Sequence, residues 1–140
     1  MSCPPYGTEY WFDPLTAAEA RATCNRCVDM MPCRRYATKT MQGDGICLGT
    51  GIYGGHGPLD RMIANGSRSN VIPTAKMLWR TIVEAPGVQW TQALLRNNTA
   101  ISDSRVRLAM EMMVDSGWVA TDGAMPPHHA ATSDVPPWET

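Results

Sequence analysis

A group of cysteines near the start of the chain constrains its fold more than any other feature. Cys24 and Cys27 are separated by two residues, and Cys33 follows six positions later. Residues three apart on a helix share a face, with Cβ atoms roughly 5–6 Å apart. Pro32 cannot continue such a helix without a kink or a restart, so Cys33 can turn back toward the same point. With Cys3 as the fourth ligand, four thiolates would suit an iron–sulfur cluster or a structural zinc ion.

The rest of the sequence places these thiols in a reducing compartment. The chain has five cysteines, an odd number, and its start lacks the charged and apolar pattern of a signal peptide. No apolar stretch approaches the ~20 residues of a membrane helix. We therefore expect a cytoplasmic protein without a membrane partner, in which clustered cysteines bind metal rather than form disulfides. Cys47 is predicted to be a spare thiol, or the substitute fourth ligand if Cys3 cannot reach.

A glycine-rich motif follows the cysteines and makes the pattern specific. Gly51-Ile52-Tyr53-Gly54-Gly55 is followed by Asp60 beside Arg61. The motifs come in a fixed order: a lone cysteine, C-N-R-C, another cysteine six positions on, a G-[VI]-[WY]-G-G turn, and an acidic residue beside arginine. The combination resembles the WhiB-like family of actinobacteria and their phages, and it covers residues 3 to about 62.

The resemblance implies a cofactor and a partner. It implies a four-iron four-sulfur cluster on Cys3, Cys24, Cys27 and Cys33. It also implies a transcription factor that docks on region four of the primary sigma factor of RNA polymerase. Three aromatic residues match the family's sigma contact, with a tyrosine where the family usually has tryptophan: Trp11, Phe12 and Tyr53. Aromatic side chains equally serve as an apolar cover over a small metal site, and this alternative stays open.

Local signals predict two helices around the cysteines. Thr16 is expected to cap a helix that runs to Thr23 and on toward Cys24 and Cys27, with Glu19 at the spacing of a capping box. A second helix is predicted from Cys33 to Met41. Five cationic residues are expected to form an exposed collar, which is either a solvated face or a surface that favours thiolates: Arg21, Arg26, Arg34, Arg35 and Lys39.

The chain continues past the resemblance into a second pattern. Residues 65–73 are polar and rich in helix breakers, which predicts a linker between a domain at 1–64 and another at 74–122. In the second domain, Thr74 is predicted to cap an amphipathic helix with apolar residues at Ala75, Leu78, Trp79, Ile82 and Val83. Residues 123–140 contain two Pro-Pro pairs and are predicted to be a disordered tail.

Two more helices and a strand complete the second domain. A short helix is predicted near Thr91–Arg96, and a longer one to Asp115 with a buried face of Val106, Met110 and Met113. Gly117 is expected to end it before a strand at 118–121. This order resembles a winged helix-turn-helix, in which the outward residues at the start of the third helix enter the major groove of DNA: Ser102, Ser104, Arg105 and Arg107. Leu108 and Met112 fall off the buried face and leave a protein-binding surface as the alternative.

The sequence thus predicts a mainly α protein, with a small helical iron–sulfur domain followed by a winged helix-turn-helix domain. The predicted function is a regulator of the WhiB-like type in the bacterial cytoplasm or nucleoid. The alternative is a zinc-stabilised DNA-binding or polymerase-adaptor protein without redox chemistry. Net charge is −1, so a DNA contact must come from a local patch. An enzyme, such as a dithiol oxidoreductase that uses Cys24 and Cys27, is disfavoured, and no small-molecule substrate is expected. The sequence shows no acid–base pair, phosphate loop or nucleophile motif, and it lacks the βαβ context of thioredoxin-like proteins.

Overall fold

The computed structural model describes residues 10–11, 13–40 and 51–139. These residues are mainly helical, which confirms the predicted class. The helices are α1 (Ala17–Asn25), α2 (Met30–Thr40), α3 (Pro58–Ala64), α4 (Val71–Glu84), α5 (Gln92–Thr99) and α6 (Asp103–Asp115). Two short strands, β1 (Val119–Thr121) and β2 (His129–Ala131), precede a 3-10 helix at Pro137–Glu139. None of the described helices combines the length and the apolar character that crossing a membrane requires.

The main core lies where α4 and α5 pack on α6. The predicted apolar stripe of α4 is buried, with Leu78 at 0% exposure and Ile82 at 1%. The predicted face of α6 is buried as well, including Val106 and Met113 at 0%. Burial of a large aliphatic side chain stabilises a fold by roughly 1.5–3 kcal/mol, so this seam is a main source of stability. The periodic spacing of apolar residues predicted both helices and their buried faces.

Helix α4 begins earlier than the sequence suggested. Its first residue is Val71, preceded by Asn70, so the last residues of the predicted linker are helical and Thr74 is not the cap. Pro73 lies in the first turn, where a backbone N–H has no partner within the helix and its absence costs little. Val71 and Ile72 are buried in the core, and this burial favours the longer helix. The Thr74 hydroxyl instead donates to the Asn70 carbonyl at 2.9 Å.

The end of α6 turns sharply into the strands. Gly117 has φ of +76°, a left-handed conformation that suits glycine, and Trp118 follows with no exposed surface. Strands β1 and β2 then pair antiparallel, with Val119 opposite Ala131.

The predicted disorder of the C-terminal tail is wrong for residues 129–139. This segment supplies strand β2 and then the 3-10 helix. The Trp138 ring lies 5.4 Å from the Trp79 ring and 5.0 Å from the Trp118 ring, centroid to centroid. The proline content suggested disorder, but a paired strand and an aromatic contact with the core hold the segment in place.

The N-terminal helices pack directly on this C-terminal part. A Cβ atom added to Gly117 would lie 2.9 Å from the Ala17 carbonyl oxygen, and one added to Gly57 would lie 2.3 Å from the Ser116 Cα atom. Such distances leave no room for side chains between the two backbones. The cysteine-bearing segment is thereby held against the end of α6 and the start of β1.

Candidate functional site

Helix α1 brings Cys24 into the interior. The Cys24 side chain is 5% exposed and packs with Ala17, Ala20 and Ile52. The helix ends at Asn25, so Cys27 lies beyond it and the predicted shared helical face is wrong. A turn replaces the helix there, because the Cys27 N–H donates to the Cys24 carbonyl at 3.0 Å. This hydrogen bond still keeps the two cysteines next to each other.

The start of α1 differs from the predicted capping box. Thr16 precedes the helix but makes no side-chain cap hydrogen bond. Its hydroxyl instead donates to the Tyr10 carbonyl at 2.7 Å and, at 3.3 Å, to the Asp13 carbonyl. The threonine therefore fastens the aromatic segment at 10–11 to the helix.

Helix α2 carries the third thiol and begins at Met30, three residues before the predicted start. Pro32 is tolerated because it lies in the first turn. Cys33 is 8% exposed, and its N–H donates to the Asp29 carbonyl at 3.0 Å. Burial raises the pKa of the Cys33 thiol, a hydrogen bond with the Gly54 backbone opposes this, and the charge of nearby Cys27 adds to it.

The glycine motif forms a tight hairpin turn against α2. Tyr53 and His56 exchange backbone hydrogen bonds of 2.9 and 3.0 Å across Gly54 and Gly55, whose φ values are +58° and +78°. Positive φ at both central residues defines a type I′ turn, which favours glycine strongly. The Gly54 carbonyl accepts a hydrogen bond from Arg34 Nε at 2.9 Å, so the turn is fixed to the helix that carries Cys33.

Replacing Gly54 with alanine is expected to destabilise the fold by about 2–5 kcal/mol, since left-handed backbone strain adds to overpacking. The new Cβ atom would lie 2.5 Å from the Arg34 backbone nitrogen and 2.6 Å from the Met30 carbonyl oxygen. Gly66→Ala is the matched control, because Gly66 has φ of +72° but no atom within 4 Å of such a Cβ. It should cost about 1–2 kcal/mol. Urea unfolding of both variants measures the difference, and equal losses would contradict the close packing of the turn.

Arg61 holds the same turn in place through hydrogen bonds to its backbone. Its side chain is buried, and Nη1 donates to the Gly51 carbonyl at 3.0 Å and to the His56 carbonyl at 2.9 Å. The guanidinium carbon also lies 5.5 Å from the centre of the Tyr53 ring, within range of a cation–π contact.

Burial lowers the pKa of His56 to about 4, so its imidazole is neutral at pH 7.

Asp60, the acidic residue of the motif, forms a buried ion pair with Arg21. Arg21 Nη1 lies 2.6 Å from Asp60 Oδ2, and the two side chains are 7% and 1% exposed. Asp60 also accepts hydrogen bonds from the Trp118 indole N–H at 3.0 Å and the Gly57 backbone N–H at 2.9 Å. The prediction that Arg21 belongs to an exposed collar is therefore wrong. The sequence did contain a signal for the burial of Arg21, because this residue lies three positions before Cys24, on the helix face that carries the buried alanines.

The aromatic residues predicted to contact sigma lie beside the cysteines where they are described. Trp11 is half-buried and packs against the cluster that contains Cys24, and its carbonyl accepts from the Ile52 N–H at 2.9 Å. Tyr53 is half-buried in the glycine turn. Phe12, Cys3 and Cys47 lie outside the described residues.

The residues predicted to bind DNA lie at the exposed start of α6. Ser102 precedes the helix, and three others lie within its first five residues: Ser104, Arg105 and Arg107. Arg105 Nη2 donates to the Thr74 hydroxyl at 2.7 Å, which fixes this arginine against α4. Leu108 is 51% exposed, as predicted, whereas Met112 packs partly against the core.

Acidic groups adjoin this basic surface. Arg107 lines a groove of about 460 Å³ between α6 and the strands, together with Glu111 and Asp115. Burial, and then the charge of Glu111, raise the pKa of Asp115. Asp103 pairs with Arg96 at 3.5 Å on the exposed side. The positive charge at the start of α6 is thus local.

Among the described residues, no three His, Cys, Asp or Glu side chains form a group that could hold a metal ion. The described residues include three of the four predicted ligands, Cys24, Cys27 and Cys33. Comparison with protein-family models, with curated proteins and with solved structures finds no match to this chain.

Proposed function

We propose that this chain is a transcription regulator of the WhiB-like type, which binds a four-iron four-sulfur cluster through Cys3, Cys24, Cys27 and Cys33. The observation that supports it most is the junction of α1, α2 and the glycine turn. There Cys24 and Cys33 are buried, Cys27 is half-exposed, and Gly54 hydrogen-bonds to Cys33. Hydrogen bonds to ligand sulfurs tune such clusters.

The charges around the thiols suit an all-thiolate group. Arg34 lies close enough to Cys24 for their charges to interact, and Arg21 lies one helical turn from Cys24. Cationic neighbours favour thiolates and offset the negative charge of a cluster. Because burial raises the pKa of Cys33, metal binding must displace a proton there, and affinity should rise with pH. When bound, the cluster supplies a redox centre open to reaction with oxygen or nitric oxide.

The proposed sigma-binding surface comprises Trp11, Phe12 and Tyr53. Of these, Trp11 packs beside Cys24 and Tyr53 lies in the glycine turn, and both are half-buried and retain surface for a partner. Exposed apolar side chains lie near the cysteines in the chain, with Val28 at 84% and Met31 at 46% exposure. Aromatic and apolar residues of this kind dominate the energetics of protein interfaces. Region four of the primary sigma factor, within RNA polymerase, is the proposed partner.

An anaerobic pull-down with region four of the primary sigma factor tests this partner. The full chain should retain the sigma fragment, and Trp11→Ala should weaken the complex by about 2 kcal/mol or more, as expected for a central aromatic residue. Trp90→Phe, in the core far along the chain from the cysteines, is the control for a general loss of core packing. Equal sigma binding by wild-type protein and Trp11→Ala would contradict the assignment of this surface.

We further propose that the domain predicted at 74–122, together with strand β2 (His129–Ala131), acts as a winged helix-turn-helix that contacts DNA. Three helices followed by a two-stranded antiparallel sheet, in the order of such domains, support this proposal. The exposed residues at the start of α6 would enter the major groove, namely Ser102, Ser104, Arg105 and Arg107.

Arg105→Ala and Arg107→Ala should each weaken DNA binding by about 1–3 kcal/mol if the residue contacts a base. If the lost contact is to a phosphate, the slope of log K against log salt should fall by about 0.9 instead. Arg80→Ala, an exposed arginine of α4, removes the same charge elsewhere and is the control. Fluorescence anisotropy with a labelled duplex at several salt concentrations measures both quantities. Affinity that is unchanged in both variants would assign this surface to a protein partner.

A further inference from the structure

Arg21 joins the cysteine-bearing helix to three distant parts of the chain. Nη1 donates to the Ser116 carbonyl at 3.0 Å as well as to Asp60, and Nη2 donates to the Pro137 carbonyl. Asp60 belongs to α3, Ser116 follows the last residue of α6, and Pro137 begins the C-terminal 3-10 helix. One guanidinium therefore holds the ends of three elements against the helix that carries Cys24.

The surrounding groups leave this arrangement little freedom. The Trp118 indole N–H and the Gly57 backbone N–H donate to the Asp60 carboxylate. The Ser116 hydroxyl accepts from the Leu59 N–H at 2.9 Å. The Arg21 and Asp60 side chains are almost fully buried. A displaced guanidinium would leave a charge in the interior without water or a counterion, which is strongly unfavourable. Movement of α1 must therefore carry the end of α6 with it or break the network.

The backbones also touch beside the network. Gly117 packs on the Ala17 carbonyl and Gly57 packs on Ser116, with no side chain between them to absorb a shift. Trp118, which donates to Asp60, is followed directly by strand β1. The polar network and these close backbone contacts converge on one segment, residues 116–118.

We propose that Arg21 is a positioning residue that couples the cysteine site to the end of α6 and to the strands. This proposal rests on the proposed function, because it requires a metal group on the cysteines. Binding of that group stabilises residues 116–118, because the network of Arg21 joins this segment to the helix that carries Cys24.

Hydrogen exchange of the full chain tests the coupling. The anaerobically purified protein is compared with the same protein after its metal has been removed by a chelator and an oxidant. In the wild type, removal should speed exchange of the Ser116, Gly117 and Trp118 amides by about fivefold or more, the lower end of typical allosteric coupling. These amides donate to carbonyls of the last turn of α6. The Leu95 amide of α5 is the internal control and should not respond.

Arg21→Lys separates coupling from mere stability. Lysine keeps a positive charge opposite Asp60 but lacks the planar fork that reaches the Ser116 and Pro137 carbonyls together. The variant should bind as much metal as the wild type. Each of the three amides should nevertheless exchange at the same rate in the metal-bound and the metal-free variant. Trp118→Phe, which removes the indole N–H donated to Asp60, should also reduce the response and serves if Arg21→Lys does not fold.

The outcomes separate the coupling from the proposed function. Faster exchange confined to residues 17–57, with the three amides unchanged, would overturn the coupling and leave the metal site standing. An undiminished response in Arg21→Lys or in Trp118→Phe would also overturn it. A wild-type chain that holds no metal would overturn both, and the metal count of the same sample identifies that case.

Discussion

Replacing Asp60 with asparagine should lower the free energy of unfolding by about 3–5 kcal/mol, the cost of leaving one member of a buried ion pair without its partner. The substituted amide would keep the size of the side chain but carry no charge. The Arg21 guanidinium, 7% exposed at its side chain, would then lack a carboxylate in the interior. Hydrogen bonds from Trp118 and Gly57 to the carboxylate would weaken as well, because bonds to a charged acceptor are the stronger kind. Urea unfolding followed by tryptophan fluorescence measures the loss.

Asp103→Asn is the matched control for this experiment. Asp103 pairs with Arg96 at 3.5 Å, and the two side chains are 52% and 45% exposed. Exposed ion pairs contribute about 0–1 kcal/mol, so this variant should remain close to the wild type. A loss of similar size in both variants would contradict the structural role assigned to the buried pair.

Replacing Cys24 with alanine should abolish metal binding, the second large effect that follows from the proposed function. Cys24 is the most deeply buried of the three described thiols and lies beside the Trp11 surface. A cluster that loses one of its thiolate ligands is not expected to be retained. Without the proposed cluster, the turn between α1 and α2 would lose a metal anchor, and sigma binding should fall in parallel. Metal analysis and an anaerobic sigma pull-down on the same preparation measure both effects.

Two comparisons give the Cys24→Ala experiment its meaning. Cys47→Ala should keep its metal, because Cys47 is predicted to be the spare thiol. The metal-free Cys24→Ala protein should remain folded through α4–α6, because the core of those helices contains no cysteine. Undiminished sigma binding by Cys24→Ala would contradict the idea that the metal group shapes the docking surface. Metal loss in Cys47→Ala would make Cys47 a ligand in place of Cys3.

The sequence predicted helices α4 and α6 well because their burial is periodic. Buried apolar residues recur at helical spacing in both helices, with Leu78 and Ile82 on α4 and Val106 and Met113 on α6. This pattern can be recognised without knowledge of the tertiary packing. The glycine turn was predictable for a local reason too, since Gly54 and Gly55 permit the positive φ that a type I′ turn requires.

Features that depend on distant partners were not predictable in the same way. Arg21 and Asp60 are 39 residues apart, and the positive charge of Arg21 suggested an exposed side chain. The segment from His129 to Glu139 is ordered because it pairs with β1 and places Trp138 beside Trp79, contacts that local composition does not encode. Helix boundaries near Pro32 and Pro73 were misplaced because proline is compatible with a first turn as well as with a break.

Metal analysis of the anaerobically purified full chain tests the central claim most directly. We predict about four iron atoms and about four acid-labile sulfides per chain, with little zinc, as a four-iron four-sulfur cluster requires. The Cys24→Ala protein prepared in parallel should contain neither iron nor sulfide. One zinc atom per chain without sulfide, or no metal at all, would contradict the account.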